Sequence, residues 1–146
     1  MKKDLYSMCK GFLVMALLCF SMSAFAQEIR YEITAAIDKD GVRRSVNDGA
    51  IKISYYNQAI TLSFLGGGDP QYNTFKYKYH HSENGNTVYY QVARDIMTGQ
   101  ESLNPDGVVV VAADKSLVNL IQLMRGVRQY THVYERKDEG YGTMAR

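Results

Sequence analysis

Residues 50–64 read AIKISYYNQAITLSF and contain two alternating segments on either side of a two-residue interruption. Apolar side chains occupy every second position in both segments: Ile51, Ile53 and Tyr55 before Asn57-Gln58, and Ile60, Leu62 and Phe64 after it. An apolar residue at every second position is typical of a strand with one buried face. The stretch therefore predicts two antiparallel strands joined by a tight turn.

The same periodicity continues on both sides of this hairpin. One face of the first strand is expected to carry Ile29, Tyr31, Ile33, Ala35 and Ile37. Further strands are predicted at 42–46 (a short edge strand), 72–79, 87–93, 108–113 and 127–136. Asn84-Gly85, within a predicted loop at 82–86, is the clearest hairpin signal because these residues accept a positive φ. Residues 94–107 are predicted to be a loop.

Residues 116–125 are ambiguous between helix and strand. Leu117, Leu120, Ile121 and Met124 have helical spacing, but a short apolar run also fits a strand, which we favour. Seven or eight short strands without strand-helix alternation predict an all-β fold, a single antiparallel sandwich or small barrel. The expected core comprises Tyr31, Ile33, Ile51, Ile53, Ile60, Leu62, Phe64, Phe75, Tyr77, Val88, Tyr90, Val109, Val111, Ile121 and Val133.

The first 26 residues predict export. Three lysines precede an apolar stretch at 11–20, and Ala24-Phe25-Ala26 offers the small residues that a signal peptidase recognises. We therefore expect a signal peptide at 1–26, a single β domain at 27–136 and a flexible polar tail at 137–146. The mature protein is expected to be periplasmic or extracellular, without a membrane span.

Two other readings of the leader fit less well. A retained membrane anchor needs roughly 20 predominantly apolar residues, which is longer than this run. A lipid anchor on Cys19 needs a small residue directly before the cysteine, and that position holds Leu18.

Removal of the leader changes the composition and excludes several functions. Both cysteines, Cys9 and Cys19, leave with it, so the remaining chain has no thiol for a disulfide, a metal or catalysis. It keeps 14 basic and 14 acidic residues. A net charge of zero argues against nucleic acid as a partner. Eleven tyrosines remain, and tyrosine suits half-buried strands.

Few residues could carry chemistry. His80, His81 and Glu83 are good zinc ligands in type, but neighbours on a strand point to opposite faces, so we expect no metal site. The glycines at 66–68 are not followed by the Lys-Ser/Thr of a phosphate-binding loop. No Gly-x-Ser-x-Gly elbow is present. The sequence predicts no cofactor and argues against an enzyme.

One surface has the composition of a binding site. Aromatic and basic side chains share a face in the last predicted strand, and in the strand at 72–79 two lysines and His80 share the face opposite the tyrosines. The candidate ligand-binding residues are Arg128, Tyr130, His132, Tyr134, Arg136, Lys76 and Lys78. Such side chains hold ligands by stacking and charge. We therefore expect a non-catalytic binding module whose partner is a protein, peptide or glycan. The alternative is a small hydrolase that acts on a glycan or peptide through loop carboxylates such as Asp95 and Glu101.

Overall fold

The computed structural model describes residues 26–69 and 73–137, which form nine strands. They are β1 (Gln27–Asp38), β2 (Arg43–Ser45), β3 (Ala50–Tyr56), β4 (Ala59–Leu65), β5 (Thr74–Glu83), β6 (Asn86–Arg94), β7 (Glu101–Val111), β8 (Leu117–Met124) and β9 (Val127–Arg136). The predicted signal peptide, up to residue 25, and the predicted tail from residue 138 lie outside the described residues. No helix that could cross a membrane occurs in the described part of the chain.

The strands form a closed antiparallel barrel. Neighbours in the order β1-β3-β4-β5-β6-β7-β8-β9 are hydrogen-bonded, and β9 returns to pair with β1, so eight strands close the barrel. β2 is an additional short strand on β1, where Ser45 pairs with Ala35. The predicted all-β class is confirmed, and of the two predicted architectures the chain adopts the barrel.

The barrel has two different ends because its strands alternate in direction. At one end, here called the turn end, the connections are residues 57–58, 84–85 and 112–116. At the other, here called the loop end, they are residues 39–42, 46–49, 66–69 with 73, 95–100 and 125–126.

The predicted turns and the ambiguous segment can now be assigned. Residues 117–124 are strand β8, as favoured from the sequence. Asn84 and Gly85 form the turn between β5 and β6 with φ angles of 52° and 81°. The expectation of a loop over 94–107 is wrong, because β7 begins at Glu101. Residues 105–107 have no partner on β6, since the register there shifts. This bulge explains why a strand can contain Pro105.

The barrel interior is the hydrophobic core. The buried cluster consists of Ile29, Tyr31, Ile33, Ile51, Ile53, Tyr55, Ile60, Leu62, Tyr77, Val109, Val111, Val118 and Tyr134. Four predicted core residues are not fully buried. Phe64 and Phe75 face the interior near the loop end, where Phe64 is 37% exposed. Tyr90 and Ile121 both pair with Val108 on the outer face of the barrel.

A β-bulge changes the face to which the first strand points. The register between β1 and β9 shifts between Ile33 and Ala35. Ala35 therefore pairs with Val133, next to the inward-facing Tyr134, and leaves the interior face. The expectation that Ile29 to Ile37 share one face is wrong beyond Ile33, because an inserted residue re-aims the side chains that follow it.

Candidate ligand-binding site

Three aromatic side chains of β9 line the barrel interior. Tyr130, His132 and Tyr134 alternate along the strand and pair with Gln122, Leu120 and Val118 of β8, respectively. Val118 belongs to the core cluster and Leu120 packs against it, so this face points inward. The rings of Tyr130 and His132 stack with their centroids 4.7 Å apart and their planes at 28°.

Tyr77 meets these residues from the opposite wall. In the closed order of eight strands, β5 lies across the barrel from β9. Burial first, and the neighbouring phenols of Tyr130 and Tyr134 second, raise the pKa of Tyr77 to about 12. Burial also raises the pKa of Tyr134. Tyr77, Tyr130, His132 and Tyr134 therefore form one group inside the barrel, here called the lumen cluster.

Two hydroxyls of the lumen cluster lack a protein partner. Tyr77 and Tyr134 are each only 4% exposed, and their hydroxyls make no hydrogen bond to the described residues. A buried ring whose hydroxyl lacks a protein partner offers a ligand an apolar wall and a polar contact.

His132 adds a neutral polar group to the same cluster. Partial burial lowers the pKa of its imidazole, because removal from water disfavours the charged form. At neutral pH the ring is therefore uncharged, and it offers one donor nitrogen and one acceptor nitrogen. The lumen cluster thus presents hydroxyl and imidazole groups without a fixed charge.

An apolar rim surrounds the loop end. Nine of the eleven exposed large apolar side chains of the described residues lie at this end: Val42, Phe64, Leu65, Ile96, Met97, Leu103, Met124, Val127 and Tyr130. Ile96 and Met97, at the tip of the β6–β7 connection, are 97% and 92% exposed. Apolar residues concentrated at one exposed place mark an interaction site more often than single scattered ones.

The turn end is built differently. Tyr31 and Tyr55 are buried there, and their hydroxyls share a hydrogen bond of 2.6 Å. Lys115, from the β7–β8 connection, places its Nζ 4.6 Å from the centre of the Tyr55 ring and donates to Gln27 at 2.7 Å. These contacts cover the buried tyrosines, so this end has the features of a structural cap.

The two arginines predicted to bind with the β9 aromatics lie toward the two ends of that strand. Arg136 pairs with Tyr31 toward the turn end. Arg128 pairs with Leu123 beyond a bulge, so it is out of phase with Tyr130. Because of this bulge, Arg128 does not share the face of the other four predicted β9 residues.

The two predicted lysines lie on the outside of the barrel. Lys76 and Lys78 alternate with the inward-facing Tyr77 on β5. Lys78 makes an ion pair of 3.3 Å with Glu101. Of the seven predicted residues, the structure brings Tyr130, His132 and Tyr134 together and keeps Arg136 on the same face beyond Tyr134. It places Arg128, Lys76 and Lys78 elsewhere.

The carboxylates named for a hydrolase make structural contacts. Oδ1 of Asp95 accepts a 2.8 Å hydrogen bond from the backbone N–H of Met97 and orders the β6–β7 turn. The hydrogen bond from Lys78 holds the pKa of Glu101 below its ordinary value, and the charge of Lys76 acts in the same direction. A general acid needs the opposite shift, so Glu101 is suited to an ion pair.

Two parts of the site are not evident from the sequence. The sequence predicts Tyr77 only as a core residue, since the alternation of β5 does not show that its hydroxyl lacks a protein partner. Ile96 and Met97 lie in the stretch read as a loop, and their signal was two adjacent large apolar residues at a predicted surface. Exposed apolar residues in a loop are the pattern that could have located the rim.

The described residues contain no group of three or more His, Cys, Asp or Glu side chains placed to hold a metal ion. Comparison of the whole chain with protein-family models, with curated proteins and with solved structures finds no match in any of the three. The chain is therefore assigned to no known family, and its function has to be argued from the lumen cluster and the rim.

Proposed function

We propose that the protein is an exported, non-catalytic binding module that takes an apolar ligand with a polar group at the loop end of its barrel. The observation that carries the proposal is the combination of hydroxyls without a protein partner inside the barrel with an apolar rim at one end. Eight-stranded barrels are wide enough to hold one small ligand. The leader at 1–26 supports export.

The side chains favour one ligand chemistry over the others. The most exposed rim residues, Ile96, Met97, Met124 and Val127, are aliphatic or sulfur-containing, and flexible methionines adapt to varied apolar shapes. The lumen cluster supplies neutral hydrogen-bonding groups, which suit an uncharged polar group on the ligand. A glycan would instead be expected to meet exposed aromatic faces around the opening. We therefore favour an amphipathic small molecule or an apolar peptide segment.

A titration with an uncharged, environment-sensitive naphthalene fluorophore tests the proposal. The protein is recovered from the exported fraction, where its intact mass should correspond to a chain that begins at or near Gln27. The double variant Ile96→Ser/Met97→Ser should bind the probe about thirtyfold more weakly, because partial burial of each side chain contributes about 1 kcal/mol.

The matched control is Tyr56→Ser, which removes an exposed side chain at the turn end, where Tyr56 is 55% exposed. This variant should bind the probe as the unaltered protein does. Equal affinities for the rim variant and the unaltered protein would contradict the proposal, and so would an equal loss in the control.

A further inference from the structure

The histidine pair on β5 has a geometry that strand alternation does not predict. The bulge between Tyr79 and His81 leaves His80 without a partner on β6. The two imidazoles consequently lie side by side, with their Nδ1 atoms 2.7 Å apart and their ring centroids 4.9 Å apart. The bend needed for both rings to approach one ion is therefore built into the strand.

Tyr90 on the neighbouring strand holds the first ring in place. The His80 ring stacks on the Tyr90 ring with centroids 4.1 Å apart and planes at 18°. The His81 ring stands edge-on to the same tyrosine at 6.3 Å. One aromatic platform thus restricts both imidazoles, which reduces the conformational entropy that a ligand would otherwise remove on binding.

Glu83 lies near the second ring. Its Oε2 lies 3.7 Å from Nε2 of His81, and a carboxylate at this place favours a proton on that nitrogen. Nδ1 of His81 then carries the free lone pair that a metal ion needs. Metal-binding histidines commonly have a carboxylate beside the nitrogen that does not coordinate.

We propose that His80 and His81 form a two-imidazole clamp that binds one divalent transition-metal ion of tetragonal geometry, Cu²⁺ before Ni²⁺, through both Nδ1 atoms. Two nitrogens bonded to one ion at about 2.0 Å lie about 2.8 Å apart at a right angle, but about 3.3 Å apart at a tetrahedral angle. The observed 2.7 Å matches the right angle. The clamp therefore favours a tetragonal ion over tetrahedral Zn²⁺.

The remaining coordination positions fall to water. The described residues hold no third ligand in place beside the two histidines, and His80 lies on the exposed part of β5. Before the ion binds, the N–H of one Nδ1 donates a hydrogen bond to the lone pair of the other. When the ion binds both lone pairs, the donor ring must carry its proton on Nε2 instead. The site is separate from the lumen cluster and does not depend on the proposed function.

Titration with Cu²⁺ alone, followed by calorimetry and electron paramagnetic resonance, tests the clamp. The purified protein should bind a first equivalent whose spectrum shows a tetragonal ion with two nitrogen ligands. His80→Ala and His81→Ala should each weaken this binding at least tenfold. Zn²⁺ should bind more weakly than Cu²⁺, as the general order of affinities for these ions requires. The ratio of the Cu²⁺ affinity to the Zn²⁺ affinity should be larger for the unaltered protein than for either single variant, which retains only one of the two histidines.

The double variant His80→Ala/His81→Ala distinguishes a clamp from two separate histidines. In a clamp, each single change should lower the affinity nearly as much as the double change, because either one destroys the chelate. Additive losses, or a double variant that binds Cu²⁺ as tightly as the unaltered protein, would overturn the proposal. Circular dichroism of all variants checks the fold, and alkylation of Cys9 and Cys19 in every sample removes the two thiols as competing copper ligands.

Discussion

The tyrosines at the turn end and those of the lumen cluster bury their rings to a similar extent but use their hydroxyls differently. Tyr31 and Tyr55 share one hydrogen bond of 2.6 Å between their hydroxyls. Tyr77 and Tyr134 have no such partner among the described residues. A buried hydroxyl without a partner costs about 1–3 kcal/mol. The turn end removes this cost with a direct hydrogen bond, whereas the hydroxyls of the lumen cluster remain available to a ligand.

The largest expected effect is a difference in the free energy of unfolding between a variant of the barrel interior and a variant of the rim. Ile53 is fully buried and Ile96 is 97% exposed. Ile53→Ala should lower the free energy of unfolding by about 3 kcal/mol, because it leaves a cavity in a packed core. Ile96→Ala should change it by less than about 0.5 kcal/mol. Urea denaturation measures both, and a large loss for Ile96→Ala would show that the rim packs on the barrel instead of standing free.

A smaller difference separates the two kinds of tyrosine. Tyr31→Phe should cost about 2 kcal/mol of stability, because it leaves the Tyr55 hydroxyl buried and unpaired. Tyr77→Phe should cost less than about 0.5 kcal/mol, since its hydroxyl has no protein partner to lose.

The double variant Tyr31→Phe/Tyr55→Phe measures the contribution of the hydrogen bond between the two hydroxyls. Its loss of stability should be smaller than the sum of the two single losses, because no hydroxyl is then left unpaired. Strictly additive losses in urea denaturation would mean that the hydrogen bond between the two residues contributes nothing.

The smallest expected effect concerns alkaline pH. The pKa of Tyr77 is about 12 in the folded protein, against about 10 in an unfolded chain. Because the folded pKa is raised, this contribution to stability is complete below pH 10 and is lost as the pH rises toward 12. The expected loss from Tyr77 is about 1 kcal/mol at pH 11.

Tyr77→Phe should remove this part of the pH dependence. Burial raises the pKa of Tyr31 and Tyr55 as well, so alkaline destabilisation should persist in the variant with a smaller slope. Denaturation curves between pH 9 and 11 provide the measurement, and an unchanged slope in Tyr77→Phe would show that its phenol ionises as freely in the barrel as in water.

Local periodicity predicts the strands well. The alternation around Asn57-Gln58 and the positive φ available to Asn84-Gly85 depend on neighbouring residues, so a single sequence reveals them. Closure into a barrel depends instead on the pairing of β1 with β9, two segments at opposite ends of the chain. Nothing in either strand alone distinguishes that pairing from a sandwich.

The candidate site could be predicted from the sequence only where it depends on local periodicity. That Tyr130, His132 and Tyr134 share a face follows from alternation, and the structure places them together. That this face is the inside of a barrel follows from long-range register. The bulges that displace Ala35, His80 and Arg128 arise between strands, so they leave no periodic trace within one strand.

The pairing of the first strand with the last also governs when the protein can fold. Lys137 contacts Glu32 across a sequence separation of 105 residues, so β1 can pair with β9 only after the intervening residues have been synthesised. Long-range pairing of this kind slows folding, because a long loop must close before the contacts form. Until β9 has been synthesised, β1 keeps one edge without a strand partner and the barrel stays open.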